Sequence, residues 1–282
     1  MPGDLCLGFG QENVDHSGPF RKSGPDGYPG RVQRDVRSRP RTGLVCAYFV
    51  IERGAARGIH QATGQNHSVA KRTIVLKVSG LRRAFGPNTI LSNFSLDVRT
   101  GEAVALTGRN GSGKSTLLRC LVGADRPDEG TVEVCGHPMS EASPEIRRDV
   151  ATVIDDLDFF PDLSVVEHLD LLARAHGLAD PDDLVDEVLE EVQLVPQAGQ
   201  LPGTLSSGQR RRLALATAFV RPRKLLIMDE PEQRLDTEGL AWLAERLKAE
   251  RSQGLAMVFA SHEPALVEQV ATRVVELGAP RG

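Results

Sequence analysis

Eight residues limit what this chain can fold into more than any others: Gly108-Arg109-Asn110-Gly111-Ser112-Gly113-Lys114-Ser115. Glycine, four residues, then Gly-Lys-Ser is the spacing of a phosphate-cradling loop. The apolar run from Ala103 to Leu106 precedes it and reads as a buried strand, and Thr116 to Leu121 reads as the start of a helix. Phosphate binding requires that order. Glycine lets the backbone approach phosphate oxygens, and successive N–H groups form an anion nest. The helix N-terminus adds partial positive charge at the same point. Lys114 brings a mobile full charge for the β- and γ-phosphates, and Ser115 offers its hydroxyl to Mg²⁺. Residues Gly108 to Thr116 are therefore the expected phosphate contact.

A phosphate loop needs a carboxylate partner. Leu225 to Met228 is an apolar strand that ends in Asp229-Glu230. A carboxylate at the end of a neighbouring strand holds the Mg²⁺ shell, the role expected of Asp229. Glu230, one residue further on, is placed to orient or deprotonate the attacking water. A second buried strand, Ala256 to Ala260, leads to Ser261-His262. His262 is thereby expected at the same sheet edge, within reach of a γ-phosphate.

The other segments imply an α/β fold. Ile74 to Val78 and Phe94 to Val98 read as strands, with a turn over Arg82 to Gly86, and Thr131 to Val134 is another short strand. The stretch from about 140 to 220 reads as mostly helical. Ser164 with Glu167 is a capping box. Val165, Leu169, Leu172 and His176 follow helical spacing, as do Leu184, Val188, Leu189 and Val192 after Pro181, and a helix is expected from Arg211 to Val220. Leu240, Leu243 and Leu247 mark one more helix, and Val274 to Leu277 a last strand. Uninterrupted apolar strands separated by helices argue a parallel sheet covered on both faces. Residues 1–73 are rich in Gly, Pro, Arg and Ser and have a basic balance, so a poorly ordered extension is expected there. Such a tail either meets anionic lipid or RNA or has no function; its scattered arginines favour the second.

The chain carries a net charge of −4, so no nucleic-acid partner is expected. Its cysteines, Cys6, Cys46, Cys120 and Cys135, form neither a CxxC pair nor a Cys/His cluster, so neither a zinc site nor a disulfide framework is indicated. No apolar run has the length of a membrane helix.

Leu205-Ser206-Ser207-Gly208-Gln209 lies between the lysine loop and the acidic strand end. Alone it reads as a helix-capping loop. With the other motifs, in this order, it makes residues 74–279 resemble an ATP-binding cassette (ABC) ATPase. The resemblance implies a P-loop core with a mostly parallel sheet, an N-terminal antiparallel β part and an inserted helical subdomain at about 140–220. It implies ATP and Mg²⁺ as cofactors, and a head-to-tail dimer in which the signature loop of one copy caps ATP on the other. By position, Phe85 looks like the aromatic that stacks on adenine. Ser206, Gly208 and Gln209 look like the trans contacts to the γ-phosphate, and Asp236 looks like the aspartate of the D-loop. Three features depart from the family pattern. Ser207-Gly208 replaces two glycines, Glu232-Gln233-Arg234 stands where small residues are usual, and Asp155 takes the place of the Q-loop glutamine. A carboxylate suits Mg²⁺, so Asp155 joins the expected metal ligands.

The resulting expectation is an ATP-hydrolysing subunit that powers a separate membrane permease, paired with a second ATPase subunit in a homo- or heterodimer. It would sit in the cytoplasm, peripheral on the inner face of the cell membrane. The short stretch after His262 resembles export-type cassettes. The alternative is a non-transport ABC ATPase acting on ribosomes or DNA; relatives of that kind carry two cassettes or long coiled coils, which this chain lacks. An unrelated P-loop NTPase such as a small kinase is opposed by the signature loop and by His262.

Overall fold

The computed structural model describes residues 73–154 and 157–278. β1 (Ile74–Phe85) and β2 (Asn88–Arg99) form a long antiparallel hairpin that turns at Gly86-Pro87. β3 (Ala103–Thr107) runs through the glycine loop into α1 (Lys114–Val122). β4 (Glu129–Val134) and the two-residue β5 (His137–Pro138) return to the hairpin, completing an antiparallel sheet of order β2-β1-β4-β5. Next come α2 (Pro144–Asp149), β6 (Val150–Val153), α3 (Val165–Ala175), α4 (Asp182–Glu191) and α5 (Ser207–Phe219). The remainder alternates: β7 (Leu225–Asp229), α6 (Thr237–Ser252), β8 (Ala256–Ala260), α7 (Pro264–Val270) and β9 (Arg273–Glu276). The second sheet has the order β6-β7-β8-β3-β9, and every pairing in it is parallel.

The parallel strands are apolar along their whole length because both faces are covered. Successive side chains point to opposite faces, so each strand feeds two cores. Val104, Leu106, Leu225, Ile227 and Val258 pack with α1 (Leu117, Leu118, Leu121) and with the antiparallel sheet. Ala103, Ala105, Leu226, Met228, Met257 and Phe259 pack with α3 to α7. Phe219 and Phe259 are among the largest fully buried side chains, each worth about 1.5–3 kcal/mol relative to exposure.

Local caps set the helix starts. The Ser164–Glu167 capping box opens α3 as expected, and a second box, Ser206 with Gln209, opens α5. That second box starts the helix at Ser207, four residues before the start expected at Arg211. Two other expectations change. Arg82 to Phe85 do not turn; they continue β1, with register shifts between Val78 and Ala84 that disturb the alternation. The stretch 140–220 is not helical throughout, because Val150–Val153 forms the edge strand β6. Four residues carry too little periodicity to be read alone; pairing with β7 makes them a strand. In α4 the buried side chains are Val185, Val188 and Leu189, with Leu184 only half-buried. No helix among the described residues is long and apolar enough to cross a membrane. Residues 1–72 and Asp155 lie outside the described residues, so the expectations placed on them are not addressed by this fold.

Candidate nucleotide site

Register places the motifs together. Leu106 in β3 and Asp229 in β7 both pair with Ala260 in β8. The glycine loop, Glu230 and Ser261-His262 therefore leave the sheet from one edge, at the carboxyl ends of parallel strands, where open α/β sheets bind ligands.

The loop has the shape phosphate binding needs. Gly113 caps α1 with φ 96°, and a Cβ there would lie 2.7 Å from Ile90 Cγ2, so only glycine lets β2 pack so closely. Phe85 ends β1, where it pairs with Asn88 at the hairpin turn. Phe85 is exposed, with the Arg83 guanidinium 4.4 Å from its ring centroid. Asp128 holds that guanidinium at 3.2 Å, and the Ala84 N–H, followed by Arg83, keeps the Asp128 carboxyl below the usual range. Lys114 lies buried over the loop, its Nζ donating to the carbonyls of Gly108 (3.0 Å) and Arg109 (3.4 Å). An ammonium has three donors, so one remains for a phosphate oxygen. Ser112 Oγ is buried without a hydrogen-bond partner among the described residues. The first turn of α1 holds no acidic residue, which leaves its positive end to an anion. Ser115 and Thr116 lie in that turn.

Four residues, Ala260, Arg211, His262 and Gln233, converge on Glu230. Its φ is +44°, a left-handed conformation, and its N–H donates to Ala260 O at 2.9 Å. The buried Arg211 of α5 donates to the carbonyls of Asp229 (2.8 Å), Glu230 (2.6 Å) and Pro231 (3.2 Å). His262 Nε2 lies 3.4 Å from Glu230 Oε1, and the Gln233 amide donates to Glu230 Oε2. Glu232 Oε1 accepts from Ser261 Oγ (2.6 Å) and from the His262 N–H (3.2 Å). The strand-end acid and the strand-end histidine thus meet. Arg211, Glu232 and Gln233 belong to this arrangement but were missed in the sequence reading as site residues. An arginine at a buried helical position, four residues before the buried Leu215, was the available signal.

The signature residues face elsewhere. Ser206 and Gln209 bond each other as the α5 capping box, and Gly208 packs against the D-loop, where a Cβ would sit 3.0 Å from Arg234 O. Asp236 caps α6 through the Gly239 N–H (2.8 Å) and pairs with Arg212 (3.0 Å). Those two partners hold its carboxyl below the ordinary range, the Gly239 hydrogen bond first. Within one chain these side chains are engaged by their own helices and not by the phosphate loop.

No group of three His, Cys, Asp or Glu among the described residues can hold a metal by itself. That fits Mg²⁺, which binds through one or two protein ligands plus substrate phosphates. Ser115 offers a hydroxyl and Asp229 a carboxylate, the oxygen donors that such an ion would take.

A phosphate loop, a strand-end acid pair and a strand-end histidine on one parallel sheet define a P-loop nucleotide-binding protein. The ABC transporter family profile matches residues 91–233. The chain belongs to that family, as an ATP-binding and ATP-hydrolysing domain. It is 35% identical over 213 residues to a Nod factor export ATP-binding protein I of Cupriavidus metallidurans, covering 74% of this chain and 70% of that one. It is 34% identical to the SkfA peptide export ATP-binding protein SkfE of Bacillus subtilis, covering 71% and 84%. A spermidine/putrescine import ATP-binding protein PotA of Pseudomonas aeruginosa is 35% identical, and the chain spans 60% of its length. The solved ATP-binding subunit of an ABC transporter superposes with a TM-score of 0.68 at 27% identity, covering 74% of this chain and 88% of that one. A dimeric cassette bound to ADP and Pi, 24% identical with a TM-score of 0.65, shares the fold.

Proposed function

We propose that the chain powers a separate membrane permease, and that two ATPase subunits close on ATP and reopen on hydrolysis. The carrying observation is the division of the site. The phosphate loop, Asp229, Glu230 and His262 share one edge, while Ser206, Gly208 and Gln209 lie at the N-terminal end of α5, engaged there by their own helix and by Arg234. In this reading the signature loop and Asp236 act across the dimer on the partner's nucleotide, and Phe85 stacks on adenine. Glu230 takes a proton from the attacking water, His262 holds the γ-phosphate, and Ser115 and Asp229 would hold Mg²⁺, a role also proposed for Asp155, which lies outside the described residues. Bound Mg²⁺ supplies charge neutralisation for the phosphates.

The permease is the partner that the export and import relatives support, and it places the protein at the cytoplasmic face of a membrane. Export is the direction favoured by the Nod factor and SkfA relatives and opposed by the polyamine relative. Residues 74–282 form the cassette in this reading, with the helical subdomain at about 140–220 facing the permease.

The test is affinity purification of the tagged chain from solubilised membranes. Co-purification with an integral membrane protein, lost on detergent exchange and regained on reconstitution, is expected. Co-sedimentation with ribosomes instead would overturn the transport reading.

A further inference from the structure

We propose that Gln233 is a positioning residue for Glu230, holding its carboxylate ready to accept the water's proton; this rests on the reading of Glu230 as general base. Residues 232–234 are the stretch where this chain carries Glu-Gln-Arg in place of small residues. Two of these three side chains bond residues of the acid and histidine turns. Gln233 donates its amide to Glu230 Oε2, and Glu232 anchors Ser261 and the His262 N–H.

The platform beneath them is rigid. The Gln233 N–H donates to Glu230 O at 3.0 Å, closing the turn, and Arg211 holds the carbonyls of residues 229, 230 and 231. A glutamate on such a turn still has three side-chain torsions to lose, which costs entropy at the moment of reaction. His262, 3.4 Å from Oε1, is too distant to fix them alone. A serine or glycine at 233 has no donor long enough to help. The glutamine amide does, and by taking Oε2 it leaves Oε1, on the His262 side, for the proton. In the step itself, the water oxygen bonds to the γ-phosphorus and its proton passes to Oε1. The bond from the γ-phosphorus to the β–γ bridging oxygen breaks, and ADP leaves with that electron pair. Gln233 gains and loses nothing.

The test compares single-turnover hydrolysis of Mg²⁺-ATP, ATP affinity and thermal melting for the full chain and for Gln233→Ala, Gln233→Glu and Glu230→Gln. Gln233 is exposed, so the melting temperatures should agree. Gln233→Ala should slow hydrolysis about tenfold at unchanged ATP affinity, as expected for one lost hydrogen bond to a charged group. Gln233→Glu has the same shape but repels the base, and should be slower still. A merely structural glutamine would tolerate that isostere. Native hydrolysis in Gln233→Glu, or a loss in Gln233→Ala confined to ATP affinity, overturns the proposal. If Glu230→Gln itself turns over ATP normally, the general-base reading fails instead, so the two failures are distinguishable.

Discussion

Lys114 shows what a single side chain contributes here. Its ammonium is buried and donates to the carbonyl oxygens of Gly108 and Arg109, which are neutral acceptors. Lys114→Ala should weaken ATP binding at least about tenfold, since a hydrogen-bonded charge pair is worth about 1.5–3 kcal/mol. Equilibrium titration with a fluorescent ATP analogue checks it. Glu230→Gln should behave oppositely, binding ATP normally while hydrolysing it very slowly, because an amide cannot accept the water's proton. With ATP it should elute from a sizing column as a dimer; a monomer with native turnover would remove Glu230 from the base role. Both residues stand out in the sequence because each motif carries its chemistry in its residue types. Gln233 and Arg211 do not, since each acts only through a backbone turn assembled from two other elements.

Between elements, hydrogen bonds from side chain to backbone set the relative placement. Arg211 fastens α5 to the turn after β7, so the signature helix and the acidic turn form one unit. Arg211→Met keeps the apolar stem but leaves three carbonyls without their donor. The expected cost is about 2 kcal/mol of stability by urea denaturation, with slower hydrolysis because the left-handed Glu230 loses its support. A second tie joins α2 and β6 to β7. Asp149 is buried at the end of α2, and the Lys224 N–H donates to its carbonyl at 2.8 Å. Burial opposes ionisation of its carboxyl, but hydrogen bonds from Arg148 and Lys224 outweigh it and hold the group below the usual range. A depressed carboxyl stabilises the fold above its unfolded value, about 3.9 for aspartate, and the contribution is lost as pH falls through the folded value. Native protein should therefore lose more stability than Asp149→Asn between about pH 5 and 3. Parallel melting curves across that window would show that the pair contributes nothing.

Across the whole molecule, every residue assigned to the nucleotide lies at or beyond Phe85. A chain beginning at Thr73, the first residue ahead of β1, should bind ATP with affinity within about twofold of the full protein, because the binding contacts are unchanged. A large loss of affinity or solubility would make residues 1–72 part of the domain. The two cores motivate this expectation: among the described residues, the one that carries α1 and the antiparallel sheet begins at Val75, and the other at Ala103.

Local information alone determined the phosphate loop, the acid pair, the capping box at Ser164, the apolar strands and hence the α/β class. Each is set within a few residues by spacing, cap chemistry or period. Tertiary structure decided the rest. Strand β6 exists because β7 offers it an edge, and Arg82 to Phe85 stay extended because they pair with the start of β2, Asn88 to Leu91. Glu230 and His262 meet because β7 and β8 pair in the register that sets Asp229 beside Ala260. Glu232 and Gln233, which in the sequence only break a pattern, become partners of that acid and that histidine once the turn is closed. A contact between residues about 30 positions apart depends on strand order and register, and neither is written in the residues that make it.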